Sequence, residues 1–245
     1  MKPDGSREKK AIRYSMPVSA IETFVRTRKS LYVEALAANL AHDIKSPLTC
    51  IKTFTDFVDR RYDDAVFRRK FKKSVKDAIL RINDRVERLM DVARSSKKCR
   101  KKTSLNLVIK HSINDLRGYL ELNNIYIDLN LAHLKKILLK SPLIKRAIEN
   151  LIMNAAEAAG EGGTIQVKTR LLADGSQELS VKDNGKGISE KEIQRIFQPF
   201  YSGKKNGTGL GLWIVLCALD EHGARIAVKS TAGCGSEFTI RFPPA

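Results

Sequence analysis

Ile125-Tyr126-Ile127-Asp128-Leu129-Asn130-Leu131 alternates apolar and polar residues as a half-buried strand does, and it marks where a helical chain changes character. Just downstream, Ser141-Pro142 offers a cap followed by proline at the first helical position, which predicts a helix running to Gly160. Thr164–Leu172 and Glu178–Asp183 read as strands joined by a turn through Ala173-Asp174-Gly175-Ser176. Leu210–His222 is apolar and helix-like and is stopped by Gly223. Two closing strands, near Ala224–Ser230 and Glu237–Phe242, bracket a Gly-rich turn. Strands mixed with helices without strict alternation predict an α+β sandwich rather than a doubly wound sheet.

Upstream the periodicity is helical. Leu36, Leu40, Ile44, Leu48, Ile51 and Val58 recur mostly at three- and four-residue steps. The tract Arg60-Arg61-Tyr62-Asp63-Asp64 interrupts them, and either aspartate could cap a second helix. That helix carries Phe67, Phe71, Val75, Ile79, Ile82, Val86, Leu89 and Ala93 at the same spacings. Two helices with one apolar stripe each form a hairpin that cannot cover its stripe alone, so a homodimeric four-helix bundle is expected. Residues 1–30 read as a linker-like or frayed start, 31–95 as the hairpin, 96–103 as a polar linker and 104–245 as the sandwich, making the whole an α+β multidomain chain.

Composition bounds the function. The chain has 245 residues, 42% hydrophobic and 29% charged, enough for two cores. Its longest stretch without Asp, Glu, Lys or Arg, from Asn206 to Leu219, is too short and glycine-rich for a membrane span. No apolar secretory core follows Met1. Cys50, Cys99, Cys217 and Cys234 lie far apart, without metal-ligand spacing, so reduced thiols in a cytoplasmic setting are expected. The net charge of +18 is concentrated early, with 27 basic against 13 acidic residues through Thr103. A basic half attracts acidic partners, but no nucleic-acid reading motif accompanies it, and no specific nucleic acid is expected.

Several segments carry chemistry. His42-Asp43 lies beside the apolar stripe of the first helix, with Pro47 breaking the hydrogen-bond ladder close by. Asn150 and Asn154 put two carboxamides on one helical face; amide oxygens suit Mg2+ and amide NH2 groups suit phosphate oxygens. Asp183-Asn184-Gly185-Lys186-Gly187 follows a strand, and its glycines let a ligand approach. Asn206-Gly207-Thr208-Gly209-Leu210-Gly211-Leu212 runs straight into a helix, a junction whose N–H groups can cradle phosphate.

Together and in this order these segments resemble the catalytic core of the sensor histidine kinases of two-component signalling. The phosphoacceptor box resembles His42-Asp43-Ile44-Lys45-Ser46-Pro47-Leu48, and Asn150 to Asn154 resembles the asparagine box. The glycine boxes are matched at Asp183–Gly187 and Gly207–Leu212, the phenylalanine box at Phe197-Gln198-Pro199-Phe200, and the closing signature at Gly235-Ser236-Glu237-Phe238. The resemblance implies a Bergerat-type ATP-binding fold for the sandwich, with ATP and Mg2+ as cofactors. It implies that His42 attacks the γ-phosphorus while Asp43 takes the proton from the other ring nitrogen. It further implies that Asp183 accepts from the adenine amino group, with Gly185 and Gly187 giving room to the ring. Asn154, helped by Asn150, would hold Mg2+, and the Gly207, Thr208, Gly209, Leu210 and Gly211 segment would face the phosphate tail. Lys204 occupies the place of a lid cation, and Ser46 stands where a residue orienting a hydrolytic water is found. The implied partners are a response-regulator receiver domain, a second copy of the chain and a separate sensor protein, in the cytoplasm. His111, His133 and His222 lie outside every box and read as structural or solvated. Three other readings remain in view. One is a non-catalytic phosphotransfer or scaffold protein, one an ATPase of the wider superfamily without a histidine acceptor, and one a charge-driven nucleic-acid binder.

Overall fold

A computed structural model describes residues 11–93, 100–203 and 209–244, with the side chains at 29–44, 46, 59, 80, 81 and 83–93 outside that description. The chain folds as two compact units, one of residues Arg26–Lys97 and the other of the residues up to Val25 together with Lys98 onward.

The first unit is a helical hairpin. Helix α1, Val18–Arg61, runs through Pro47 without ending, and just beyond it Thr49 Oγ1 donates to the Lys45 carbonyl at 2.8 Å. Helix α2 spans Ala65–Ala93. Of the two aspartates in the turn, Asp64 is the cap. Its Oδ1 accepts from the N–H of Val66 at 2.9 Å and of Phe67 at 3.0 Å, and these backbone donors hold its carboxyl below the usual range. Phe54, Phe67 and Phe71 pack together beside the turn, with ring centroids about 6 Å apart.

The second unit is a two-layer sandwich. Its six-stranded sheet has the order β1-β7-β8-β6-β5-β3. The strands are β1 Ile12–Met16, β3 Tyr126–Leu131, β5 Thr164–Leu171, β6 Gln177–Asp183, β7 Arg225–Thr231 and β8 Gly235–Phe242. All neighbours are antiparallel except β3 and β5, which are joined through α4 Ser141–Ala159. A small ribbon pairs β2 Lys101–Thr103 with β4 Ile137–Leu139. Helices α3 Leu105–Leu122, α4 and α6 Gly211–Asp220 form the second layer, and α5 Glu190–Ile193 is a single turn.

Period-two alternation turns Leu179, Val181, Val228, Phe238 and Ile240 inward, where they are buried against Ile144, Ile148, Leu151 and Ile152 of α4. Each fully buried Ile or Leu contributes about 1.5–3 kcal/mol relative to exposure. Polar pairs such as Arg170–Glu178 and Gln166–Asp128 occupy the outer face. His222 is 4% exposed and structural. Its Nδ1–H donates to the Ala218 carbonyl at 2.6 Å, and its Nε2 accepts from the Lys140 N–H at 2.8 Å, tying the end of α6 to the start of α4. His111 and His133 are exposed.

Three features differ from expectation. The linker-like start contains β1, which pairs along its length with β7, and Met16, Ile21 and Val25 are buried. The expected boundary at residue 31 falls inside α1. The polar linker 96–103 ends in β2, whose pairing with β4 draws Lys101–Thr103 into the sandwich. For β1 and β2, pairing partners distant in sequence supply the order that local periodicity does not signal.

Candidate active site

The inward positions of the sheet end in polar residues at one edge of the sandwich. Asp183, the last residue of β6, continues the inward series Leu179, Val181 and is 3% exposed. Its Oδ1 accepts from the Gly185 N–H at 2.8 Å and the Ser236 N–H at 3.2 Å; among the described residues Oδ2 accepts none. Burial pushes its carboxyl above the usual range, against the pull of those donors.

The loop after Asp183 is seated by close backbone approaches that require glycine. A Cβ on Gly185 would lie 2.2 Å from the Ala158 carbonyl oxygen, and the Lys186 N–H donates to that same oxygen at 3.2 Å. Gly187 has φ 69° and faces the Thr231 carbonyl, where a Cβ would come within 2.2 Å. These contacts set the loop over the last turn of α4, one turn beyond Asn154.

Helix α4 brings its carboxamides to the start of α6. Asn150 Nδ2 donates to the Arg146 carbonyl at 2.8 Å, which fixes the side chain. A Cβ on Gly211 would stand 2.9 Å from Asn150 Oδ1, closer than Cβ atoms come, and 3.7 Å from Asn154 Nδ2, an ordinary contact, so the bare backbone sets the helix N-terminus beside the Asn150 amide. Glu149, beside them, is largely buried. Burial raises its carboxyl, partly offset by Lys145 and Arg146 at 3.4 and 3.8 Å. Gly209, at φ 65°, packs so tightly on Phe200 that a Cβ would come 2.3 Å from its carbonyl carbon, and its carbonyl accepts the Phe200 N–H at 3.1 Å.

Asp183, Gly185, Gly187, Asn150, Asn154, Gly209, Leu210 and Gly211 thus share one unit and one end of it. Lys204, Gly207 and Thr208 lie outside the described residues. His42, Asp43 and Ser46 lie in α1, within the hairpin, and their side chains are not described. Sequence reasoning missed Ser230. Its hydroxyl accepts from the Ile188 N–H at 2.8 Å, donates to the Gly235 carbonyl at 3.0 Å and meets Ser236 Oγ at 3.0 Å. A serine following Ile226 and Val228 at an inward strand position was the available signal.

An acceptor buried at a strand end, glycine-seated loops and amides beside a helix N-terminus are groups of the kind that a base and phosphates require. Carboxamide oxygens with few other protein ligands suit Mg2+, which keeps waters and phosphate oxygens in its own shell.

Residues 140–245 match the family model described as histidine kinase-, DNA gyrase B- and HSP90-like ATPase, and residues 32–98 match the His Kinase A (phospho-acceptor) domain. The chain belongs to the sensor histidine kinases of two-component signalling. This histidine kinase chain is 30% identical over 224 residues to the sensor histidine kinase ZraS of Salmonella typhimurium, covering 91% of the chain and 48% of that protein. It is 31% identical over 225 residues to sporulation kinase C of Bacillus subtilis, covering 91% of the chain and 52% of that protein. The chain therefore spans about half the length of the curated relatives it matches. Among solved structures, the catalytic domain of histidine kinase ThkA superposes with a TM-score of 0.54 at 28% identity, covering 59% of this chain and 95% of that one. ThkA in complex with the response regulator TrrA shares the fold at a TM-score of 0.68 and 22% identity, covering 93% of this chain and 66% of that one. Among the described residues, no helix is long and apolar enough to cross a membrane.

Proposed function

We propose that this chain is an ATP-dependent protein-histidine kinase that phosphorylates His42 and passes the phosphoryl group to an aspartate of a response-regulator receiver domain. The observation that carries the reading is the approach of Gly211 to Asn150 and Asn154, which sets a helix N-terminus beside two amides.

Asp183 orients the nucleotide by accepting from the adenine amino group through Oδ2, while Gly185 and Gly187 keep the ring's edge clear. The N–H groups at Gly209, Leu210 and Gly211 hold the phosphate tail. Asn154 and Asn150 would hold Mg2+, which supplies charge neutralisation of the phosphates when bound. A ring nitrogen of His42 forms the new N–P bond as the bond from the γ-phosphorus to the β–γ bridging oxygen breaks, and ADP leaves with that oxygen. Asp43 accepts the proton from the other ring nitrogen. Lys204 neutralises charge on the transferring group, and Ser46 orients a water where the phosphoryl group is hydrolysed. Transfer of this kind needs positioning and electrostatics more than covalent chemistry.

The hairpin's apolar groove, lined by Val58, Phe67, Phe71, Val75 and Ile79, is read as the seat of a second copy. The receiver is read as approaching the basic hairpin, its acid-rich active site steered by charge. A cytoplasmic setting fits a protein that consumes ATP.

Incubation with γ-labelled ATP and Mg2+ tests the reading. The label is expected to be acid-labile and alkali-stable, to be absent from His42→Gln and to move to a receiver domain on mixing. Label on serine or threonine, stable in acid, would contradict it.

A further inference from the structure

The segment ahead of the hairpin docks on the nucleotide end of the sandwich. Strand β1 sits at the sheet edge in register with β7, pairing Ile12 with Ser230, Tyr14 with Val228 and Met16 with Ile226. These three pairs fall on the inward face of β7, so Tyr14 points into the helical layer, where its ring stacks on Phe197 with centroids 6.0 Å apart and planes at 27°. Phe197 is 2% exposed. After Pro17 the chain enters α1, and Ile21 and Val25 are buried while the Phe24 ring meets Trp213 at 6.0 Å.

Both aromatic contacts end beside the phosphate junction. Phe197 stands three residues before Phe200, whose N–H is bonded to the Gly209 carbonyl and whose backbone is in contact with Gly209. Trp213 stands two residues after Gly211 and is 1% exposed. The two rings of the upstream segment therefore meet side chains that lie ahead of and after Gly209–Gly211 in the chain, Phe197 and Trp213. The backbone pairing of β1 asks for no ring at Tyr14, yet Tyr14 stacks on Phe197, and Phe24 in the first turns of α1 meets Trp213 at a tilt of 50°.

We propose that Tyr14 and Phe24 are positioning residues of the nucleotide site, holding Gly209–Gly211 through Phe197 and Trp213, so that the segment preceding the phosphoacceptor hairpin sets the affinity for ATP. This rests on the nucleotide-binding reading above. The action is indirect: neither ring touches the nucleotide, and what they supply is preorganisation of backbone donors that would otherwise be ordered on binding.

The test is titration of the full chain and its variants with trinitrophenyl-ATP and Mg2+, with melting temperatures measured in parallel. The unaltered chain is expected to bind; if it does not, the nucleotide reading itself fails, and this proposal with it. Tyr14→Ala and Phe24→Ala are each expected to weaken binding roughly fivefold, the worth of one aromatic pair, while Tyr14→Phe stays within about twofold. Unchanged affinity in both alanine variants would overturn the proposal, as would a Tyr14→Phe as weak as Tyr14→Ala, since the hydroxyl makes no part of the stack. Should Tyr14→Ala unfold the domain, Tyr14→Leu keeps the apolar cover without the ring plane and is read by the same outcomes.

Discussion

Asp183 concentrates the logic of the site in one side chain. Strand alternation turns it inward, two backbone donors fix Oδ1, and burial holds its carboxyl above the ordinary range. Asp183→Asn separates binding from folding. The carboxamide oxygen can keep both backbone bonds, but an NH2 group then replaces Oδ2 and opposes the donor it is proposed to accept. Nucleotide affinity is expected to fall at least about tenfold by titration, because a mismatched buried donor pair is left unsatisfied. The melting temperature at neutral pH should stay level or rise, because a desolvated charge has gone. Unchanged affinity would remove Asp183 from the adenine contact.

At the scale of elements, the junction of α4 and α6 depends on a neutral His222. Burial lowers its proton affinity below that of an ordinary histidine, the main cause, with the cations of Arg100 and Lys140 adding to it and Glu221 and the Ala218 carbonyl opposing. As pH falls, the unfolded chain therefore takes up this proton before the folded one does. The His222 contribution to stability is full above about pH 6.5, the ordinary value, and is lost as pH drops below it. Denaturant unfolding across that range should give a slope that His222→Gln flattens; an equal slope in both would assign the acid sensitivity elsewhere. The elements also mark how far the sequence could be read. Helix α4 and strands β3, β5, β6, β7 and β8 were legible because their apolar residues repeat at the period of their own geometry and glycine or proline punctuates them. Strands β1, β2 and β4 are three to five residues long and owe their order to β7 or to each other, which no local period reports. The glycine and asparagine boxes were legible as residue types, whereas the Ser230 network came from strand pairing that sets Ser230 opposite Ser236.

For the whole molecule, the hairpin's groove leaves Ile79 47% exposed among phenylalanines, while the sandwich buries its own core. Ile79→Glu is expected to leave nucleotide binding intact and convert a dimer to a monomer in sedimentation, since the charge would be desolvated at the bundle seam. A dimer unaffected by it would put the second copy on another face.

The central claim is that a nucleotide held by Asp183, Asn150, Asn154 and the Gly211 helix delivers its terminal phosphoryl group to one imidazole of the hairpin. Mapping the modified residue by mass spectrometry under alkaline conditions, after incubation with Mg2+ and ATP, tests this most directly. His42 is expected to carry a phosphoryl group, and at ATP below saturation Asp183→Asn is expected to reduce it at least about tenfold. Bound nucleotide with position 42 never modified would contradict it.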